Sequence, residues 1–141
     1  MFGGSITVLI VDKLLNFIHR RKRQPLPTVR SLDEVQAALK QVTYRKDCFD
    51  WTQAPELTWG RKQGDCEDFA VLSQALLKQI GIDSVILKVY TDPLKYSHAV
   101  CVFDGGYFSN EHFRPGVFSL DEIAKRVAGR RLHFWRIIDE T

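Results

Sequence analysis

The chain has 141 residues, of which 45% are hydrophobic and 26% are charged, a composition typical of a folded globular domain. This composition excludes a disordered chain, and the length allows one hydrophobic core rather than two. The net charge of +3, from 20 Lys and Arg against 17 Asp and Glu, is too small to indicate nucleic-acid binding by itself.

The first 30 residues carry most of the basic surplus. Apolar side chains at helical spacing over residues 6–19 predict an amphipathic helix, and Pro25 and Pro27 predict a linker over 22–30. We therefore predict a basic arm and linker over 1–30 and a single domain over 31–141. The arm suits an anionic surface or a protein partner, although such a helix more often packs on its own domain. We predict no specific nucleic-acid partner.

The same region lacks the pattern of a membrane span or a leader. The apolar run from Ile6 to Val11 ends at Asp12, far short of the roughly 18 apolar residues that a spanning helix needs. Its basic residues follow the apolar run instead of preceding it, so we expect neither a transmembrane segment nor a signal peptide.

The remaining elements follow in chain order. Ser31 with Glu34, and Ser119 with Glu122, have the spacing of capping boxes at helix starts. Asp104-Gly105-Gly106 predicts a hairpin turn between two strands. Helices are predicted over about 32–41, 66–80 and 119–128, strands over 85–90, 98–103, 107–110 and 132–138, and a structured loop over 43–64. We expect an α+β fold with a central helix packed on an antiparallel sheet.

The most informative motif begins the central helix and reads Gly64-Asp65-Cys66-Glu67-Asp68. A thiolate at a helix N-terminus is favoured by unpaired backbone N–H groups and by the helix dipole, which lower its pKa. The same N–H groups can stabilise an oxyanion. Acids in a first helical turn are also ordinary partners of the dipole, so a capped helix with a structural cysteine is the equal alternative.

A nucleophilic cysteine needs a base, and His98 is the best candidate. It opens a predicted strand and shares one face with Val100 and Val102, so it can reach Cys66 if that face packs on the central helix. A hydrogen-bonded structural histidine is the alternative. The other histidines are His19 in the arm, His112 in a predicted loop and His133 in the last strand.

The base needs an orienting oxygen, which a neighbouring strand can supply. Asn110 follows the hairpin turn in the strand beside His98, and a Cys-His-Asn triad is chemically sound. Asp104 is the alternative orienting residue because its carboxylate is charged, but an Asp before Gly-Gly is common in hairpin turns and favours a structural role. The candidate catalytic residues are therefore Cys66, His98 and Asn110.

Five short sequence segments, taken in their order along the chain, resemble the transglutaminase-like superfamily, and within it the bacterial transglutaminase-like cysteine proteinases. They are Asp50-Trp51, Ala54-Pro55-Glu56, residues 64–70, Leu76-Leu77-x-x-x-Gly81-Ile82 and Ser97-His98-Ala99-Val100. The resemblance covers roughly residues 31–112. It implies a papain-like fold in which Cys66 is the nucleophile and His98 is the base.

The third position departs from the family pattern, which usually places an aspartate in the strand after the histidine. This strand reads Tyr107-Phe108-Ser109-Asn110. Simple alignment puts Ser109 at the aspartate, and an offset of one residue makes Asn110 the orienting group. We choose Asn110 on chemical grounds, and because a one-residue shift reverses side-chain direction, geometry can test the choice.

The resemblance also bears on ligands. Some relatives bind calcium through acids near the cysteine, but three adjacent acids cannot fill a calcium shell alone, so we predict no metal and no cofactor. The sequence does not decide whether Gln53, Trp51 or Trp59 stabilises the oxyanion together with the Cys66 N–H. The two tryptophans are alternatively core residues.

Together these features predict a cysteine-dependent amide hydrolase that acts on a protein or peptide through a thioester. The alternative is a binding or assembly module that keeps the fold without turnover. The resemblance and the absence of a targeting signal imply a bacterial or bacteriophage protein, located in the cytoplasm or on a virion.

Overall fold

The computed structural model describes residues 23–46 and 51–138. The predicted arm helix, His19, Cys48 and Asp50 lie outside these residues. The helices are α1 (Leu32–Leu39), α2 (Pro55–Arg61), α3 (Cys66–Gln79) and α4 (Leu120–Ala128). The strands are β1 (Thr43–Tyr44), β2 (Gln63–Gly64), β3 (Ser84–Thr91), β4 (His98–Phe103), β5 (Gly106–Ser109), β6 (His112–Pro115) and β7 (Leu132–Ile138). The fold is α+β, as predicted.

Five strands form one antiparallel sheet in the order β6-β5-β4-β3-β7, with β4 at its centre. The two remaining strands, β1 and β2, pair in parallel and attach the segment after α1 to the residues immediately before Cys66. The chain therefore brings the start of α3 to the end of the sheet where β4 begins.

Helices cover both faces of the sheet, and this corrects one expectation. Ala99 and Cys101 of β4 pack in the cluster that contains α3, whereas Val100 and Val102 pack with Ile123 of α4. The Val100 and Val102 face is thus turned away from the central helix, so the condition under which His98 is predicted to reach Cys66, that this face packs on the central helix, is not met. Because both faces of β4 are apolar, alternation alone cannot assign either face to a particular helix.

The segment over 23–30 has no regular secondary structure but packs on the body. Val29 is buried, and its N–H donates to Gln79 Oε1 over 3.1 Å. The N–H of Gln24 donates to the carbonyl of Glu56 over 3.1 Å. The role of these residues as a linker to the preceding arm stays a prediction.

Helix α2 and strand β6 were not predicted, for different physical reasons, and neither were the two-residue strands β1 and β2. The seven-residue helix α2 begins with Pro55 in its first turn and is too short to show a helical period. Strand β6 contains His112, which we had placed in a loop, and it pairs with β5 alone at the edge of the sheet. Neither α2 nor β6 has the hydrophobic pattern that indicates an amphipathic helix or a half-buried strand.

Candidate functional site

The site is built on the first turn of α3. Asp65 is the N-cap: its Oδ1 accepts from the Asp68 N–H, and Asp68 Oδ2 accepts from the Asp65 N–H, both over 3.0 Å. This capping box fixes the helix start on either side of Cys66. Gly64 is required by close approach rather than by a tight bend, because an added Cβ would lie 2.6 Å from the Asp68 Cβ.

Asp68 is buried and connects the helix start to the preceding loop. It accepts hydrogen bonds from the Gln53 backbone N–H over 2.6 Å and from Gln53 Nε2 over 3.1 Å. Burial raises the pKa of Asp68 to about 7, despite these bonds, and the neighbouring Asp65 adds to the shift. Gln53 Nε2 also donates to Thr58 and to the Gln63 carbonyl, so this amide is engaged in the loop rather than available to an oxyanion.

The Cys66 thiol lies where α3 meets β4. Its sulfur lies near the backbone N–H of Ala99, the residue after His98. Burial raises the pKa of the thiol, Lys88 and the Ala99 N–H oppose this, and Asp65 and Glu67 add to it. The expectation of a lowered pKa is therefore wrong for the resting protein, because desolvation of the sulfur outweighs the groups that favour its charge.

His98 begins β4, and its ring is hydrogen bonded to the next strand. Nε2 lies 2.9 Å from Ser109 Oγ, and either group can be the donor, depending on the ring tautomer. Burial, with a smaller effect of Lys88, lowers the pKa of His98 to about 4. At neutral pH the Cys66 thiol and the His98 imidazole are therefore both uncharged.

The geometry assigns the hydrogen bond of His98 to Ser109 and not to Asn110. Strand β5 ends at Ser109, and Asn110 takes a left-handed conformation with φ of 52° in the turn to β6. Asn110 Oδ1 is buried without a hydrogen-bond partner. The predicted orienting residue Asn110 thus lies one residue beyond the end of β5, whereas Ser109, the residue that simple alignment places at the third position, contacts the His98 ring.

Lys88 is a site residue that sequence reasoning missed. It is paired with Ala99 in the β3–β4 register, and its Nζ lies 2.5 Å from Glu67 Oε1. Glu67 Oε2 accepts from the Thr52 hydroxyl over 2.8 Å. A lysine inside the apolar run Val85–Tyr90 was the available signal, since a charge in a buried strand needs a partner.

The other sequence candidates lie elsewhere. Asp104 is exposed in the hairpin turn at the opposite end of β4, and His112 and His133 are exposed on edge strands. Trp59 is buried, with Lys62 Nζ 3.2 Å from its ring centroid. A groove of about 340 Å³ runs along α3 away from Cys66 and is lined by Pro55, Val71, Gln74, Ala75, Lys78, Ile82, Asp83 and Ser84.

The described residues contain neither a metal-binding cluster nor a membrane-spanning helix. Over residues 23–46 and 51–138, no three His, Cys, Asp or Glu side chains cluster in a way that could hold a metal ion. The acids of the α3 motif diverge instead, with Asp65 at the cap, Asp68 in the interior and Glu67 on Lys88. Within the same ranges no helix has the length and apolar character to cross a bilayer.

A cysteine at a helix start, against the first residues of a central antiparallel strand that begins with histidine, defines a class of papain-like folds. The sequence matches the transglutaminase-like superfamily over residues 16–135, which is most of the chain. The chain belongs to this superfamily, whose members include cysteine-dependent hydrolases and transferases. No curated protein matches it.

Proposed function

We propose that the protein is a cysteine-dependent amide hydrolase that acts on a peptide or protein through a thioester. The observation that carries this proposal is the position of Cys66 as the first residue of α3, after a capping box, with its sulfur near the backbone N–H of Ala99, the residue after His98. A nucleophile and a base on adjacent elements, with a helix N-terminus between them, suit acyl transfer.

The resting charges define the first step. Because His98 is uncharged at neutral pH, its ring can accept the thiol proton as Cys66 attacks the amide carbon. The oxyanion forms at the positive end of α3, where backbone N–H groups stabilise it. The imidazolium then protonates the leaving amine, and water, activated by the neutral ring, hydrolyses the thioester to regenerate the thiol.

Ser109 is the proposed orienting group for His98. Its hydroxyl fixes the ring by a 2.9 Å hydrogen bond but adds no negative charge to stabilise an imidazolium. A thiol nucleophile depends less on a charged third group than a serine does, so a neutral hydroxyl is compatible with turnover. We expect a slower enzyme than one with a carboxylate at this position.

The test is hydrolysis of a mixed peptide library, read by mass spectrometry. The wild-type protein should cleave amide bonds, and Cys66→Ala and His98→Ala should each abolish cleavage while the circular dichroism spectrum is kept. His133→Ala, at an exposed histidine on β7, should cleave normally. Cleavage that survives Cys66→Ala would overturn the proposal.

A second candidate, a binding or assembly module of a bacterial or phage system, is favoured by one observation. The neutral Ser109 and the raised pKa of Cys66 describe a site that does not hold a thiolate at rest. Iodoacetamide labelling separates the two. Cys101, whose pKa burial raises to about 12, is the internal reference. In an enzyme, His98→Ala should slow the labelling of Cys66 relative to Cys101 because the ring no longer accepts the thiol proton, whereas labelling that His98→Ala leaves unchanged favours the binding module.

A further inference from the structure

We propose that Lys88 is a positioning residue whose ammonium group favours the negative charge of the Cys66 sulfur and disfavours protonation of His98. The inference rests on the proposed function, which it deepens by identifying the group that sets the charge state of the nucleophile and base. Its evidence is geometric and lies in the β3–β4 register.

The register places Lys88 against the site. Lys88 and Ala99 are opposite residues of β3 and β4, next to the pair formed by Val89 and His98. The lysine side chain is only 15% exposed, so its charge is weakly screened by solvent. Because its ammonium group pairs with Glu67, the residue after Cys66, a cation lies at the start of α3 and close to the first residues of β4.

The Glu67 carboxylate sets the position of Lys88. The 2.5 Å ion pair anchors Nζ, and Thr52 anchors the other oxygen of Glu67. Glu67 raises the pKa of Lys88, so the lysine stays protonated throughout the neutral range. The pair thus places a permanent cation with a partly compensating anion on the helix that carries the nucleophile.

Each group that faces the reacting pair has a defined effect. Near Cys66, Lys88 lowers the thiol pKa, and Asp65 and Glu67 raise it. Near His98, Lys88 lowers the ring pKa and Ser109 is neutral. The remaining charged or titratable neighbours are Tyr44 of β1 and Tyr90 of β3, with Arg136 of β7 acting on Glu67.

Removal of Lys88 should therefore shift two titrations in the same direction. In Lys88→Met, the midpoint for alkylation of Cys66 by iodoacetamide should rise by about one pH unit, which slows labelling at neutral pH about tenfold. The His98 midpoint, read by NMR of the ring protons, should rise from about 4 toward its ordinary value. A merely structural lysine would shift neither midpoint.

Glu67→Gln should shift the midpoints of Cys66 and His98 in the opposite direction from Lys88→Met. Without its carboxylate, the full charge of Lys88 acts on the pair, and both midpoints should fall. Lys88→Arg should keep both within about half a pH unit of the wild type because it preserves the charge. Lys125→Met is the matched control, since Lys125 pairs with Asp121 over 2.9 Å on α4, away from the site.

The outcomes separate the two proposals, because alkylation and ring titration need no turnover. Unchanged midpoints in Lys88→Met overturn the role of Lys88, even if peptides are cleaved. Parallel upward shifts support it, even if no peptide is cleaved. If Lys88→Met fails to fold, Glu67→Gln decides: a downward shift of both midpoints supports the role, and no shift or an upward shift overturns it.

Discussion

The two ends of strand β4 differ in what holds them in place. At the hairpin end, Phe103, Phe108 and Phe113 pack ring against ring, with centroids 5.3 to 5.9 Å apart. At the other end, five residues away along the chain, His98 begins the strand near a half-buried ion pair and the helix start. Apolar burial stabilises the first end, whereas the second depends on satisfying polar groups. The apolar core and the candidate site thus lie at opposite ends of one strand.

The largest effect is expected at the aromatic end. Phe108→Ala should lower the free energy of unfolding by about 3–5 kcal/mol, because it removes a ring that is 1% exposed and leaves a cavity among its neighbours. Urea denaturation measures the loss. Phe134→Ala is the control, with a ring that is 47% exposed and stacked on Tyr90, and it should cost about 1 kcal/mol. Equal losses would contradict the comparison.

A smaller loss is expected at the polar end. Asp68→Asn should lower the free energy of unfolding by about 2 kcal/mol, because an amide nitrogen in place of Oδ2 directs its N–H groups at two other donors, Gln53 Nε2 and the Asp65 N–H. Asp65→Asn should cost under about 0.5 kcal/mol, since Asn is an equally good N-cap. The same denaturation measurement ranks the two variants, and the reverse order would argue against a buried role for Asp68.

The pH dependence of stability should show two opposed contributions at this end. The pKa of His98 is about 4 in the folded protein against 6.5, so the unfolded state binds more protons between these values and stability falls as the pH falls. The pKa of Asp68 is about 7 against 3.8, so the folded state binds more protons over that range and stability rises as the pH falls. The two contributions should largely cancel in the wild type.

Single variants should expose each contribution. Between about pH 4 and 6.5, stability should rise with pH in Asp68→Asn and fall with pH in His98→Gln, each by up to about 1.4 kcal/mol per pH unit. Urea denaturation at several pH values measures both slopes. Slopes of the same sign in the two variants would show that one of these assignments is wrong.

The smallest effect concerns the third position. Ser109→Ala should lower stability by about 1 kcal/mol because the His98 ring loses its partner. Asn110→Gly should change stability by less than about 0.5 kcal/mol, since Gly readily adopts its φ of 52°. Peptide cleavage should fall in the first variant and persist in the second. Loss of cleavage in Asn110→Gly alone would restore Asn110 as the orienting group.

Sequence patterns predicted the elements that have strong local signals. Strand β4 and strand β7 have the predicted bounds, and Ser119 caps α4 with Glu122 as its spacing indicates. These features depend on the alternation of apolar and polar residues in strands and on capping residues three positions apart. Both patterns can be recognised within one short segment of the sequence.

The site required information that no single segment holds. Whether Ser109 or Asn110 meets His98 depends on where β5 ends, and that is set by pairing with β4 and β6. Lys88 becomes a site residue only through its register with Ala99. The thiol pKa follows from burial, which is a property of the packed fold and not of the motif.

The capping box around Cys66 has one further consequence. Asp65 and Asp68 exchange hydrogen bonds across the first turn, and neither bond uses the side chain at position 66. The cap therefore does not depend on the sulfur of Cys66, although that side chain packs against the core. Serine and selenocysteine, which are close to cysteine in size, should therefore be accepted at this position with the helix start unchanged.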